Sequence, residues 1–114
     1  MVEFKVELGE RAYPIFIGGD LLTDSERFSP FIGSSQALLV TNETVNGLYA
    51  DQVMKSLSFV DKLDKLVLPD GESFKNLDTL NLIFDALLES QHNRKTTLVA
   101  LGGGVVGDMV GFAA

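Results

Sequence analysis

The sequence predicts an α/β fold: an N-terminal β-hairpin followed by βαβαβα units on a parallel sheet. Three observations carry this prediction. Apolar and charged residues alternate along "EFKVEL". Three short apolar runs, "QALLVT", "KLVLP" and "TTLVAL", recur further on. Between and after them, apolar residues repeat at helical spacing. Short apolar runs suit strands buried on both faces of a parallel sheet. Strand–helix alternation is the pattern of right-handed crossover units.

Each element has its own signal. Phe4, Val6 and Leu8 alternate with Lys5 and Glu7, the two-residue period of a half-buried strand. Tyr13 to Ile17 is its expected partner, with Gly9 in the turn and Pro14 favouring an edge. From Gly18 to Ser35, glycine, serine and Pro30 leave only short helical turns and loop. Val45, Leu48, Tyr49, Val53 and Leu57 make one helical stripe. Leu77, Leu80, Ile83, Phe84, Leu87 and Leu88 make a clearer one. Pro69 closes the second strand of the series, and Val105 to Ala114 begins a last helix. The chain has 114 residues and no repeat, low-complexity tract or linker, so residues 1–114 read as one Rossmann-like domain.

Composition narrows the function. Hydrophobic residues make up 46%, enough to bury a core. No apolar run reaches the roughly 20 residues of a membrane helix. The start "MVEFKVELGE" lacks the basic-then-apolar order of a secretory signal. Without cysteine there is neither a disulfide nor a thiolate metal site. A net charge of −7 with no basic patch speaks against nucleic acid. The cytoplasm is the expected compartment. An anionic ligand can still be held by backbone N–H groups.

Three strand-to-helix junctions carry unusual residues: Thr41-Asn42-Glu43-Thr44, then Pro69-Asp70-Gly71-Glu72-Ser73-Phe74-Lys75, then Gly102-Gly103-Gly104-Val105-Val106-Gly107-Asp108. In an open α/β sheet all three lie at the carboxyl ends of the strands, where ligands bind. Glycines before a helix let a phosphate approach the backbone and the helix's positive end. Residues 102–107 satisfy G-x-G-x-x-G, but three adjacent glycines satisfy many patterns, and this run follows the third strand of the series. The bland alternative is a tight turn that lets the helix pack on the sheet. Each polar residue likewise has two readings. Asp108 is either a first-turn acid on the helix dipole or a partner for a ligand hydroxyl. Asn42 is either a helix cap or a ligand contact. Asp70-Gly71 is a turn pair on either reading. Glu72 and Lys75 either pair with each other or offer an acceptor and a cation to a ligand. His92, the single histidine, sits at an expected helix end, where a cation or cap is routine; a metal or catalytic role is the minor reading.

"VTNET", "LPDGESFK" and "TTLVALGGGVVGDMVGFAA" strongly resemble the N-terminal part of bacterial 3-dehydroquinate synthases, and the resemblance runs the length of the chain. Motif relatives include other sugar-phosphate cyclases, such as 2-deoxy-scyllo-inosose synthase. Glycerol and iron-dependent alcohol dehydrogenases share the architecture and a similar glycine turn. The resemblance implies conversion of 3-deoxy-D-arabino-heptulosonate 7-phosphate to 3-dehydroquinate in the shikimate pathway, with NAD and a divalent metal, zinc or cobalt. It implies that Asn42, Asp70, Glu72 and Lys75, with Gly71, Ser73 and Phe74 beside them, line the adenosine side of NAD. It implies that Gly103, Gly104, Val105 and Asp108, with Val106 and Gly107, hold the pyrophosphate and riboses. Phe74 stands where relatives often carry tyrosine. The family's zinc ligands and substrate-binding lysines and arginines belong to later, largely helical segments, and His92, Arg94 and Lys95 fall outside those motifs. The chain is therefore expected to be an NAD-binding fragment truncated before the helical C-terminal domain, without catalytic or metal residues of its own. It is expected to be inactive alone and prone to self-association; the family is typically homodimeric. The alternatives are the NAD-binding half of a glycerol or iron-dependent alcohol dehydrogenase relative, or a free-standing nucleotide-binding module.

Overall fold

A computed structural model describes residues 2–33 and 35–114; Met1 and Ser34 lie outside the described residues. Strands β1 (Val2–Val6) and β2 (Tyr13–Ile17) form the antiparallel hairpin, with Val2 opposite Ile17 and Val6 opposite Tyr13. Leu8 falls outside β1, just before a 3-10 turn at Gly9–Arg11 that Gly9 enters at φ +64°. The expected half-buried face is reversed. Val2, Phe4, Tyr13, Ile15 and Ile17 are exposed. Phe16, on the opposite face, packs against Phe31 with ring centroids 6.3 Å apart, and the Arg27 guanidinium lies 5.1 Å from its centroid. Alternation fixes which side chains share a face; a distant segment decides which face is covered.

As expected, the described residues between 18 and 35 hold only short elements: 3-10 turns at Leu21–Thr23 and Ser29–Phe31 around α1 (Ser25–Phe28). The second sheet holds β3 (Gln36–Asn42), β4 (Lys62–Leu68) and β5 (Thr97–Leu101), all parallel, in the order β4-β3-β5. A helical run follows β3: α2 (Glu43–Val45), a π-helical turn at Asn46–Ala50, and α3 (Asp51–Ser56). Helix α4 (Leu77–Glu89) joins β4 to β5, and α5 (Gly104–Ala113) follows β5. The chain leaves β3 toward one side and later crosses back past it to β5. Two right-handed crossovers in opposite directions put their helices on opposite faces of the sheet. Leu38 and Val40 accordingly pack with Leu80 and Ile83 of α4 and Val106 and Met109 of α5. Ala37 and Leu39 pack on the other face with Ala50, Val53 and Leu57. The central strand is thus covered on both sides, which accounts for its unbroken apolar run.

The stripe read from Val45 to Leu57 is only half right. Leu48 and Tyr49 are exposed, and Ala50 is buried in their place. A π turn accommodates one extra residue and so rotates the downstream face by about 100°. Helix α4 carries the second stripe, of which Leu80 and Ile83 are buried while Leu77, Phe84 and Leu88 are exposed. Asn76 caps it, its Oδ1 accepting the Thr79 N–H at 2.9 Å. At the other end Gln91 takes φ +59°, and the His92 N–H donates to the Leu87 carbonyl at 2.8 Å. That position favours glycine. Gln91→Gly is expected to raise stability by about 0.5–1 kcal/mol in urea denaturation; an unchanged or lower midpoint would contradict this.

His92 is a structural residue. Its side chain is fully buried, with Nε2 2.7 Å from Asp64 Oδ2 and Nδ1 3.0 Å from Thr96 Oγ1. The Thr96 hydroxyl donates to Gln36 Oε1 at 2.9 Å. Gln36 opens β3, Asp64 lies in β4, and Thr96 immediately precedes β5. The network therefore ties three strands together away from their carboxyl ends. His92→Ala is expected to cost about 2 kcal/mol, because it leaves partly buried polar partners without their bond and opens a void. A loss below about 0.5 kcal/mol in denaturant melts would show that the network contributes nothing.

Candidate functional site

The carboxyl ends of β3 and β5 meet where the strand order reverses, the position at which open α/β sheets leave a ligand crevice. The buried Thr41 hydroxyl closes the floor of this junction by donating to the Leu101 carbonyl at 2.7 Å.

At the first junction Asn42 is a helix cap: its Oδ1 accepts the Val45 N–H at 2.8 Å. The second junction reaches the same turn. Asp70 Oδ2 accepts the Thr44 N–H at 3.2 Å and also the Thr44 hydroxyl. Gly71 follows at φ +107°, a conformation open to glycine and costly for other residues. A 3-10 turn, Glu72–Phe74, then presents Glu72 and Ser73 to solvent beside a partly exposed Phe74. The predicted Glu72–Lys75 pair is present, with Nζ–Oε1 3.7 Å, but it is the looser of two contacts. Lys75 Nζ lies 2.7 Å from Asp108 Oδ2. Hydrogen bonding and charge from Asp108, then charge from Glu72, hold the Lys75 pKa above its ordinary value.

The third junction assigns the glycines separate tasks. A Cβ on Gly102 would stand 3.0 Å from Val106 Cγ2 and 3.2 Å from Val106 Cβ, so this glycine lets α5 pack on the strand end. A Cβ on Gly103 or Gly104 would meet nothing within 4 Å. Packing does not require glycine at either position. Val106 is buried in the core and can offer a ligand only its backbone, and Val105 is half-buried. The Gly107 N–H donates to the Gly103 carbonyl and is used within the helix. Asp108 lies beyond the first turn of α5, which corrects the first-turn dipole reading; its carboxylate faces Lys75 from the second turn.

The helix N-termini differ in one respect. Helices α1, α2 and α4 each have a first-turn N–H bonded to the side chain of Asp24, Asn42 or Asn76. Helix α5 has no side-chain cap, and its N-cap residue is Gly103. Its first N–H groups lack helical partners, and a Cβ on Gly103 or Gly104 would stand in open space. A hollow of about 330 Å³ runs from Lys75 and Asp108 along Leu80 and Met109. A larger one, about 730 Å³, lies along β5 and α5 beside Arg94, Leu98 and Val110, and includes none of Asn42, Asp70, Lys75 or Asp108. Among the described residues no group of three His, Cys, Asp or Glu could hold a metal ion. Sequence reasoning named Thr41 and Thr44 within the first junction but gave neither a role. The hydroxyl pair flanking Asn42 at the end of an apolar strand was the available signal.

Residues 65–114 match the family model described as 3-dehydroquinate synthase N-terminal. The whole chain is 60% identical over 114 residues to 3-dehydroquinate synthase of Saccharophagus degradans. It is 59% identical to the 3-dehydroquinate synthase of Teredinibacter turnerae. In both cases it covers 100% of this chain and 32% of the relative, so the chain spans about a third of the length of these relatives. Among solved structures, 2-deoxy-scyllo-inosose synthase complexed with carbaglucose-6-phosphate, NAD+ and Co2+ superposes with a TM-score of 0.86 at 22% identity, over 99% of this chain and 31% of that one. At that identity the likeness shows the fold. ValA, a 2-epi-5-epi-valiolone synthase from Streptomyces hygroscopicus with NAD+ and Zn2+ bound, gives a TM-score of 0.71 at 29% identity, over 96% of this chain and 30% of that one.

Proposed function

We propose that the chain is a member of the 3-dehydroquinate synthase family and is the NAD-binding domain of an enzyme converting 3-deoxy-D-arabino-heptulosonate 7-phosphate to 3-dehydroquinate and phosphate. The uncapped N-terminus of α5, with open space above Gly103 and Gly104, is the observation that carries this reading. The backbone N–H groups of Gly104 and Val105 would donate to the pyrophosphate, and the helix's positive end would favour its charge. Glu72 and Asp108 supply carboxylate acceptors for ribose hydroxyls. Lys75, held beside Asp108, supplies a positive charge. Bound NAD would provide a hydride acceptor; this chain's residues bind and orient it.

The acidic and histidine residues described here do not form a divalent-metal site, so a metal of the kind bound in the structural neighbours would have to be held elsewhere in the parent enzyme. The chain alone is accordingly expected to release no phosphate from the heptulosonate phosphate, with or without zinc. Release above a no-enzyme blank would contradict this. The same reading places the parent in the cytoplasm; among the described residues no helix is long and apolar enough to cross a membrane. The exposed apolar face of the hairpin supports self-association, which sedimentation over a range of concentrations would test. Calorimetric titration with NAD tests the central assignment: saturable binding is expected, and heats no larger than dilution would refute it.

A further inference from the structure

Asp70 has a different task from Glu72 and Lys75 in the same loop. We infer that Asp70 is a positioning residue: it holds the second strand-to-helix loop against the first through Thr44, and it does not contact the ligand. The inference rests on the nucleotide reading above.

One carboxylate oxygen, Oδ2, accepts both the Thr44 N–H and the Thr44 hydroxyl, from a position 26 residues further along the chain. Thr44 is in the first turn of the helical run after β3, where orphan N–H groups and the positive helix end favour an anion. Asn42 takes the next N–H, that of Val45. The two side chains together occupy this helix start, in contrast to the uncapped start of α5.

The consequence reaches the rest of the site. Asp70 directly precedes Gly71, whose φ of +107° aims the Glu72–Phe74 turn. Beyond that turn Lys75 bonds to Asp108 of α5. The three junctions are therefore linked in series: Thr44 to Asp70, then Lys75 to Asp108. Releasing Asp70 would loosen the corner from which Glu72 and Lys75 project and would leave α5 intact. Asp70 would then affect the ligand only through where those two residues stand.

The test is the NAD dissociation constant of the wild-type chain and of Asp70→Ala, Asp70→Asn, Thr44→Val and the Asp70→Ala/Thr44→Val double variant, each first shown to be folded by circular dichroism. Asp70→Ala is expected to weaken binding by about tenfold. Thr44→Val is expected to weaken it in the same direction. In the Thr44→Val background the Asp70→Ala penalty is expected to shrink by at least about threefold, because residues acting through one contact are not additive. Asp70→Asn retains an oxygen facing Thr44 and is expected to stay within about threefold of wild type. An Asp70→Ala penalty equal in both backgrounds would overturn the inference. If Asp70→Ala does not fold, Thr44→Val decides alone: unchanged affinity overturns the inference, and weakened affinity supports it. A wild-type chain that binds no NAD would instead sink the nucleotide reading itself.

Discussion

Gly104→Val is expected to weaken NAD binding by about a hundredfold or more while leaving the unfolding midpoint nearly unchanged. A Cβ at Gly104 would meet no atom within 4 Å outside its chain neighbours and its own helix backbone, and this residue opens α5 without a positive φ. The fold therefore tolerates a branched residue there. The ligand would not, because the valine would stand over the free N–H groups that the pyrophosphate must reach. Affinity and midpoint should be measured on the same preparations. A collapse in stability with unchanged affinity of the folded fraction would mean that Gly104, too, serves packing.

The neighbouring glycine is expected to behave in the opposite way. Gly102→Val should cost about 3 kcal/mol of stability, because its Cβ would stand 3.0 Å from Val106 Cγ2 and 3.2 Å from Val106 Cβ. Val106 cannot step aside easily, since it is buried with Leu38, Val40 and Ile83. The protein that remains folded should bind NAD much as wild type does. Urea denaturation beside NAD titration separates the two glycines. A Gly102→Val protein as stable as wild type would show that the strand end and α5 are not closely packed.

Much of the fold was legible because period and composition agreed. "QALLVT" suited a strand buried in a parallel sheet, and β3 is the central strand. The capped helix from Leu77 needed only its apolar stripe. The π turn was not legible, since nothing in "NGLYA" marks an extra residue in the turn that brings Ala50 into the core. The covered face of the hairpin was equally hidden, because it depends on Phe31 and Arg27 arriving from another segment.

The site was legible as a set of loops and not as a set of contacts. Strand-end placement follows from topology, so Asn42, Asp70, Lys75, Gly103, Gly104 and Asp108 could be grouped at one edge. Their pairings could not be read. Lys75 meets Asp108 across the gap between α4 and α5, and Asp70 meets Thr44 across two loops. Neither separation is a helical or strand period. The three adjacent glycines read alike in sequence. Only the backbone position of each one, packed against Val106 or open to solvent, tells them apart.

The most direct measurement is a titration of the 15N-labelled chain with NAD, read at the backbone amides of the helix starts. Binding at the uncapped end of α5 predicts that the Gly104, Val105 and Asp108 signals shift saturably, with Glu72 and Lys75 following. The capped starts at Glu26, Val45 and Thr79 should stay within the general background. Shifts confined to those capped helices, or no saturable shift at Gly104 and Val105, would contradict a pyrophosphate seat on α5.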